Sequence, residues 1–446
     1  MIINSSPELL MPAGNFEKMQ VAFNYGADAV YAGVPIFSLR IRENEFNKER
    51  LIKALKYARQ LGKKIYLTMN IYAHNSKVSK FLDSFCEMSE LNPDAFIMVD
   101  PGLINECLKL RPQTIIHLST QANVTNWTAV AFWRDCGIKR IILPRELSIT
   151  EIAEIHQKVP DLELEAFVHG AICVAYSGRC LLSNYLTHRD ANQGACANTC
   201  RWEYKLAVEE ESLKDYELKR AKEQLNSTAN IPYHPLQANY YLNVYSAEEQ
   251  RFLEGRLNID EDEHGTYLMN SKDLCAIELL KELQAAGVCS FKIEGRNKST
   301  YYTGVVARAY RRAIDDMLVG KSFNKENLQD LIGTQNRTLM TGFLTKRPEE
   351  YGQNYTDGAS TALTYRFAGI VRKVEDNIAW VEVKNKLELG DTLEWIFKNQ
   401  TVTCKITFIL NAKGETVIAA HGGIIWGLNL PEHTEIPELT LIRQKL

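Results

Sequence analysis

The sequence predicts an α/β fold: a (β/α)8 TIM-like barrel with a cysteine-bearing insertion after strand seven, plus a small C-terminal all-β barrel. Three observations lead there. Over roughly the first 300 residues, short apolar runs alternate with amphipathic helical segments, which calls for a parallel sheet with helical crossovers. Between Gly170 and Ser271 that alternation breaks, and four cysteines crowd together at its start. From Phe367 the pattern is strands only, divided by turn signals such as NAKGE and LELGD. A chain of 446 residues exceeds what one core usually organises. The expected division is 1–325 for the barrel, with the insertion at about 170–271, then a connector over 326–366 and the small β-barrel over 367–446.

The eight expected barrel strands are Glu8–Met11, Ala29–Gly33, Lys64–Asn70, Ala95–Asp100, Thr114–Ser119, Arg140–Pro144, Glu163–His169 and Ser290–Glu294. Helical segments such as NFEKMQVAFNYG and SITEIAEIHQKV fit between them. Asn15 and Ser148 stand where N-caps belong, and Gly26, Gly62, Gly137 and Gly287 where helices end. An open doubly wound sheet is the competing layout, but no G-x-G-x-x-G follows the first strand. The C-terminal segment offers FAGIVRKV, IAWVEVKN, DTLEWIF, TVTCKITFIL, TVIAAHGG and LTLIRQ as short strands, which suits a small closed barrel.

Cys173, Cys180, Cys196 and Cys200 have the spacing C-x6-C-x15-C-x3-C, in a chain with ten cysteines in all. Clustered thiols select soft metals. Zinc knuckles show tighter paired arms than these, whereas four unevenly spaced sulfurs can surround a cubane that takes one thiolate per iron. Packing as small buried residues and disulfide formation are the competing accounts. The opening MIINSSPELLMPAG has no secretory character, and no run approaches a membrane span, so the expectation is a cytoplasmic protein with reduced thiols. A net charge of -3 gives no global nucleic-acid signature, though a local basic surface can still bind phosphates.

In a barrel the reactive face lies at the C-terminal ends of the strands. Those ends carry Arg40, Arg42, Asn70, His74, Gln121, Asn123, Arg145 and Arg296, expected to bind a substrate, with His169 and Glu294 as candidate catalytic groups. Such a rim suits an anionic small molecule or a nucleotide. The helix KSTYYTGVVARAYRRAIDDML interleaves Lys298, Arg308, Arg311 and Arg312 with Tyr301 and other tyrosines. Phosphate contact and base stacking on RNA would use this mixture, and so would the solvated face of an outer helix. Arg372, Lys373, Lys384, Lys386, Lys398 and Lys405 could make the terminal barrel an RNA-docking module, or simply keep it soluble.

H-E-x-x-H and G-x-S-x-G are missing from the chain. His188–Asp190 spells HRD, but no Gly-rich loop accompanies it. A C-x3-C-x2-C radical motif fails at Glu203.

The stretches MPAGN, GADAVYAG, FSLRIRENEF, IHLSTQANVTNW, FVHGAICVAYSGRCLLSNYLTHRDANQGACANTCRWEY, EDEHGTYLMNSKDL and FKIEGR resemble the collagenase-like U-type peptidase family. The resemblance runs over most of the chain, including VKNKLELGD near its end, and leaves about 208–260 unmatched. It implies an oxygen-independent hydroxylase with a [4Fe–4S] cluster on Cys173, Cys180, Cys196 and Cys200. For the branch matched best, it implies prephenate-dependent hydroxylation of the wobble uridine of tRNA to 5-hydroxyuridine. Sister branches act on ribosomal RNA or on quinone precursors, and the older peptidase label finds no catalytic constellation here. The implied partners are the tRNA anticodon arm, a small dicarboxylate co-substrate and the iron–sulfur assembly machinery, with no membrane. Arg40, Arg42, Arg145 and Arg296 are the expected contacts for the dicarboxylate.

Overall fold

A closed parallel barrel forms from eight strands: β1 (Glu8–Ala13), β2 (Ala29–Gly33), β3 (Lys64–Met69), β4 (Ala95–Met98), β5 (Ile116–Leu118), β6 (Arg140–Ile142), β7 (Glu163–Ala171) and β8 (Val288–Ile293). Closure is made by β8, which pairs in parallel with both β1 and β7. The structure is a computed structural model that describes residues 6–39, 45–173, 175–187, 189–193, 196–197, 199–201, 204–208, 240–244, 257–259, 272–334, 338–345, 364–431 and 435–446. The eight expected strands all form, with ends displaced by a residue or a few. Helices cover the outside and side chains fill the inside, so the strands are buried nearly end to end.

Crossover helices are α1 (Phe16–Asn24), α2 (Lys48–Gln60), α3 (Asn75–Ser89), α4 (Pro101–Leu110), α5 (Trp127–Asp135) and α6 (Ile149–Lys158). Asn15 and Ser148 cap as their positions suggested, Ser148 through a reciprocal pair with Glu151. Gly26, Gly62, Gly137 and Gly287 follow helices at positive φ. No helix among the described residues is long and apolar enough to cross a membrane.

The insertion leaves the end of β7 with a short helix, α7 (Leu182–Thr187). Tyr204–Val208, Tyr240–Val244 and Leu257–Ile259 form a small antiparallel sheet. The chain returns as Asp273–Cys275, antiparallel to β7, and α8 (Leu280–Ala285) leads into β8. Then come α9 (Thr300–Leu318) and α10 (Lys325–Ile332).

The C-terminal domain is antiparallel. Its main strands are β9 (Tyr365–Glu375), β10 (Ile378–Val383), β11 (Thr392–Ile396), β12 (Thr401–Lys405), β13 (Ile425–Asn429) and β14 (Leu441–Lys445). They run in the order β12-β11-β14-β9-β10-β13, extended by Ile409–Leu410 and Thr416–Val417. The domain has its own core around Val371, Val381, Trp395, Ile409, Leu428 and Ile442. β13 was not expected from the sequence, because Gly427 interrupts its apolar pattern. A Cβ there would meet Ile378 at 2.9 Å and Leu410 at 3.2 Å, so the glycine permits close strand packing.

The reading of α9 as an RNA-gripping face is corrected by its burial. Tyr301 is buried and stacks on Phe367, their ring centroids 5.1 Å apart. Arg308 is buried, pairs with Asp330 at 3.0 Å and donates to Thr401 in the C-terminal domain at 2.8 Å. Arg311 pairs with Asp28 and Asp315, and Arg312 reaches Glu326. These cations lock α9 between the barrel and the terminal domain. Lys298 precedes the helix, with its ammonium 5.4 Å from the Tyr302 ring centroid. The junction is completed by Arg443, which meets Asp330 at 2.9 Å, and by Tyr25, which donates to the Ile396 carbonyl at 2.6 Å.

The terminal domain is likewise less basic in effect than in sequence. Arg372 is held by Glu17 and Glu382, Lys373 by Glu375, Lys384 by Glu382 and Lys386 by Glu388. Lys398 and Lys405 are exposed.

Asp330 is the shared counter-charge of two buried guanidiniums from different domains. Asp330→Ala is expected to destabilise the chain by about 3–5 kcal/mol, since it strands both cations in a desolvated junction. Urea unfolding checks this, and a variant within about 0.5 kcal/mol of wild type would contradict it.

Candidate functional site at the barrel mouth

Side chains alternate between the two faces of a strand, so every second residue of a barrel strand enters the interior. Here those interior columns are polar and aromatic where a barrel usually packs aliphatic layers. Toward the N-terminal end of the strands, Arg140 pairs with Glu8 at 2.6 Å, Glu163 at 2.7 Å and Glu165 at 3.2 Å. Tyr66 and Ser290 donate to Glu8 at 2.5 and 2.9 Å. Burial acts to raise the Glu8 carboxyl, but Arg140 and these hydrogen bonds outweigh it and leave the pKa lowered. One step up the barrel, Lys292 meets Glu165 at 2.7 Å.

Above this layer opens a cavity of about 290 Å3, lined by barrel residues and by the insertion. On one side, Asn70 donates to the Gln121 side-chain carbonyl at 3.1 Å and accepts the Leu39 N–H at 3.2 Å. On the other, Arg145 pairs with Glu294 at 3.3 Å and lies 4.0 Å over the Phe167 ring. Arg296 donates to Ser38 at 2.8 Å and to Thr68 at 3.3 Å. Tyr31 lies under both Lys292, at 4.4 Å, and Arg296, at 5.6 Å. The cavity therefore combines aromatic faces, cations and amides, a set that can hold a small anion with an unsaturated or cyclic body.

All four cysteines of the insertion line this same cavity. Their loop is fastened to the rim at several points. Glu146, after β6, accepts the Ser177 N–H at 2.9 Å, and Tyr72, after β3, donates its N–H to the Asn192 carbonyl at 3.3 Å. Ser183 donates to the Arg189 carbonyl at 2.7 Å and accepts the Ala197 N–H at 2.9 Å, which draws the two cysteine arms together. Gly178 has φ +73, and a Cβ on it would stand 2.2 Å from the Gln121 carbonyl oxygen. Only glycine lets the loop approach the turn after β5 so closely.

Among the described residues the ten cysteines form no disulfide, and no group of three or more Cys, His, Asp or Glu stands at metal-holding spacing. The donor chemistry nevertheless suits a soft metal centre: four thiols from one loop share one cavity wall. Burial raises the Cys180 thiol pKa, and Cys173 and Cys196 raise it further against backbone donors from Leu182 and Ser183. Such mutual repulsion of thiolates is what a bound cation would relieve.

Several expected site residues fall elsewhere. Arg40 and Arg42 lie outside the described residues, as do His188 and most of 208–260. His74 lines a neighbouring cleft with Tyr72, Arg179 and Asp190. Asn123 terminates a 3-10 turn at φ +52 and does not line the cavity. His169, within β7, is buried and does not line the cavity; it packs with its ring centroid 5.5 Å from that of Tyr310 and 5.9 Å from that of Tyr302. Glu294 does line the cavity. The residues that sequence reasoning missed are Lys292, Glu165, Tyr31, Phe167 and Tyr176. A period-two signal was present in Glu163, Glu165, Phe167 and in Ser290, Lys292, Glu294.

Comparison with known proteins gives two matching family models, peptidase family U32 over residues 14–354 and the U32 C-terminal domain over 363–443. The chain is 45% identical to the tRNA hydroxylation protein P of Haemophilus influenzae, over 98% of this chain and 96% of that protein. It is 30% identical to the 23S rRNA 5-hydroxycytidine C2501 synthase of Escherichia coli, over 70% of this chain and 40% of that protein. It is also 27% identical to a protein named collagenase from Porphyromonas gingivalis, over 86% of this chain and 85% of that one.

Burial lowers the His169 pKa to about 4, with Asp273 opposing the shift and Lys298 adding to it. The unfolded chain, with an ordinary imidazole near 6.5, takes up that proton first as the pH falls. The stabilisation is therefore complete above about pH 6.5 and is lost toward pH 4, on the order of 3 kcal/mol. Buried His117 adds to the loss in the same direction. Urea midpoints at pH 7 and pH 4.5 are expected to differ less in His169→Gln than in wild type; an equal drop would contradict the assignment.

Proposed function

The chain belongs to peptidase family U32, and on that premise we propose that it is an RNA-modifying enzyme. The reaction is oxygen-independent hydroxylation of the tRNA wobble uridine to 5-hydroxyuridine, with prephenate as co-substrate and a [4Fe–4S] cluster as cofactor. The observation that carries this reading is the convergence of the four cysteines and the cationic, aromatic barrel mouth on one cavity. Nearly full-length similarity to a protein named for tRNA hydroxylation supports it.

Cys173, Cys180, Cys196 and Cys200 would hold the cluster, which supplies one-electron transfers. Ligation by all four would leave each iron with a protein thiolate, so the substrates would be bound by the barrel. Prephenate is a dicarboxylate, and Arg145 and Arg296 are the cavity guanidiniums suited to its carboxylates. Asn70 and Gln121 present amide donors and acceptors to a base edge, while Tyr31 and Phe167 offer aromatic faces. A wobble base sits in a single-stranded loop and can be splayed out of its stack to reach such a pocket. Lys298 and the exposed Lys398 and Lys405 offer cations to backbone phosphates.

A peptidase reading has less to rest on. None of the described histidines lines the cavity, so no nucleophile–histidine pair is formed there. Hydroxylation of a quinone precursor would use the same cavity without tRNA.

The test is nucleoside mass spectrometry of tRNA from cells lacking the gene, complemented with wild type or Cys196→Ala. Wild type is expected to restore 5-hydroxyuridine or its derivatives, with the variant at background. Full restoration by Cys196→Ala would overturn the cluster-dependent reading, and no restoration by wild type would overturn the tRNA reading.

A further inference from the structure

Lys292 is the residue that the proposed function leaves unused. It is the one lysine among the described residues lining the cavity, and it is 3% exposed. β8 directs it inward between Ser290, one interior step below, and Glu294, one step above. Its ammonium lies 4.4 Å from the Tyr31 ring centroid and 5.6 Å from that of Phe167. Those same two rings carry the guanidiniums of Arg296 and Arg145. An amine and two guanidiniums thus share one aromatic floor.

The surroundings favour an amine that can lose its proton. Burial lowers the Lys292 pKa and Arg140 adds to this, while Glu165 and Glu294 oppose it. Desolvation beside another cation is a recognised way to make lysine nucleophilic. The Glu165 carboxylate, 2.7 Å away, stands ready to take that proton. A purely structural ion pair would explain the contact with Glu165. It would not by itself account for the place of Lys292 among the cavity-lining residues, between the rings that carry Arg145 and Arg296.

We propose that Lys292 binds its ligand covalently, condensing with the ketone of a small 2-oxo carboxylate whose carboxylate is held by Arg145 or Arg296. The amine passes a proton to Glu165 and its nitrogen attacks the carbonyl carbon to give a carbinolamine. Glu165 returns a proton to the departing oxygen, a C=N bond forms and one water leaves. No electrons are exchanged. The protonated imine then draws electron density from the adjacent carbons, which is how amine catalysis loosens bonds next to a carbonyl. The proposal rests on the reading of this cavity as the co-substrate site, since prephenate carries a ketone beside a carboxylate.

The experiment uses the full-length protein with its cofactor intact, under anaerobic conditions. It is incubated with prephenate, or with pyruvate as a minimal probe, in the presence of cyanoborohydride, which fixes an imine as a secondary amine. Peptide mapping is expected to show one modification, on Lys292, equal to the oxo acid less one oxygen atom. It should be absent without oxo acid or without reductant. Lys292→Arg keeps a cation against Glu165 and is expected to bind prephenate by calorimetry but to remain unlabelled. Prephenate binding to wild type without trapping, or trapping only on surface lysines, would overturn the imine and leave the co-substrate reading standing. Absence of both binding and trapping would overturn the two together.

Discussion

Inside the barrel the carboxylate of Glu165, fully buried, faces Arg140 at 3.2 Å and Lys292 at 2.7 Å. Arg140 is held in turn by Glu8 and Glu163, and Glu8 by Tyr66 and Ser290. The chain of contacts touches β1, β3, β6, β7 and β8, so closure of the barrel and compensation of its interior charge are one event. Isolated charges would be very costly to bury here. Because each ion has partners on neighbouring strands, the barrel can keep a polar interior, and the cavity above it inherits fixed cations and ordered aromatic rings. Everything that the mouth can bind depends on that lower layer.

The second condition is the seating of the insertion. Four cysteines from one loop face the cavity because the loop is tied to the ends of β3, β5 and β6 through Asn192, Gly178 and Ser177. The barrel supplies the polar floor and walls, and the loop supplies the sulfur. Neither part alone contains the donor set that the proposed chemistry needs. The terminal domain contributes no residue to this cavity and meets the barrel at the junction that Asp330 holds together.

The barrel was legible in the sequence because helical and strand periodicities alternate cleanly and caps such as Ser148 and Gly62 mark the ends. The four cysteines were legible from spacing and residue type alone. Other features were hidden for physical reasons. A basic, aromatic helix such as α9 reads the same whether its cations meet phosphate or buried carboxylates, and only Asp28 and Asp330, distant in sequence, decide which. β13 was lost because Gly427 breaks an alternation that close packing requires it to break. Lys292 and Glu165 passed as ordinary polar residues in apolar strands, although their alternation placed them in the interior. His169 looked catalytic from its place at a strand end, yet the chain's return as Asp273–Cys275 beside β7 and the tyrosines of α9 enclose it.

The proposed chemistry requires the four cysteines that line the barrel-mouth cavity to hold an iron–sulfur centre. The most direct measurement is iron, acid-labile sulfide and visible absorbance of protein purified without oxygen, for wild type and for Cys180→Ala. The account predicts a brown wild type with about four irons and four sulfides per chain, and a bleached variant that still folds. A colourless wild type under those conditions, or a variant with undiminished iron and sulfide, would contradict it.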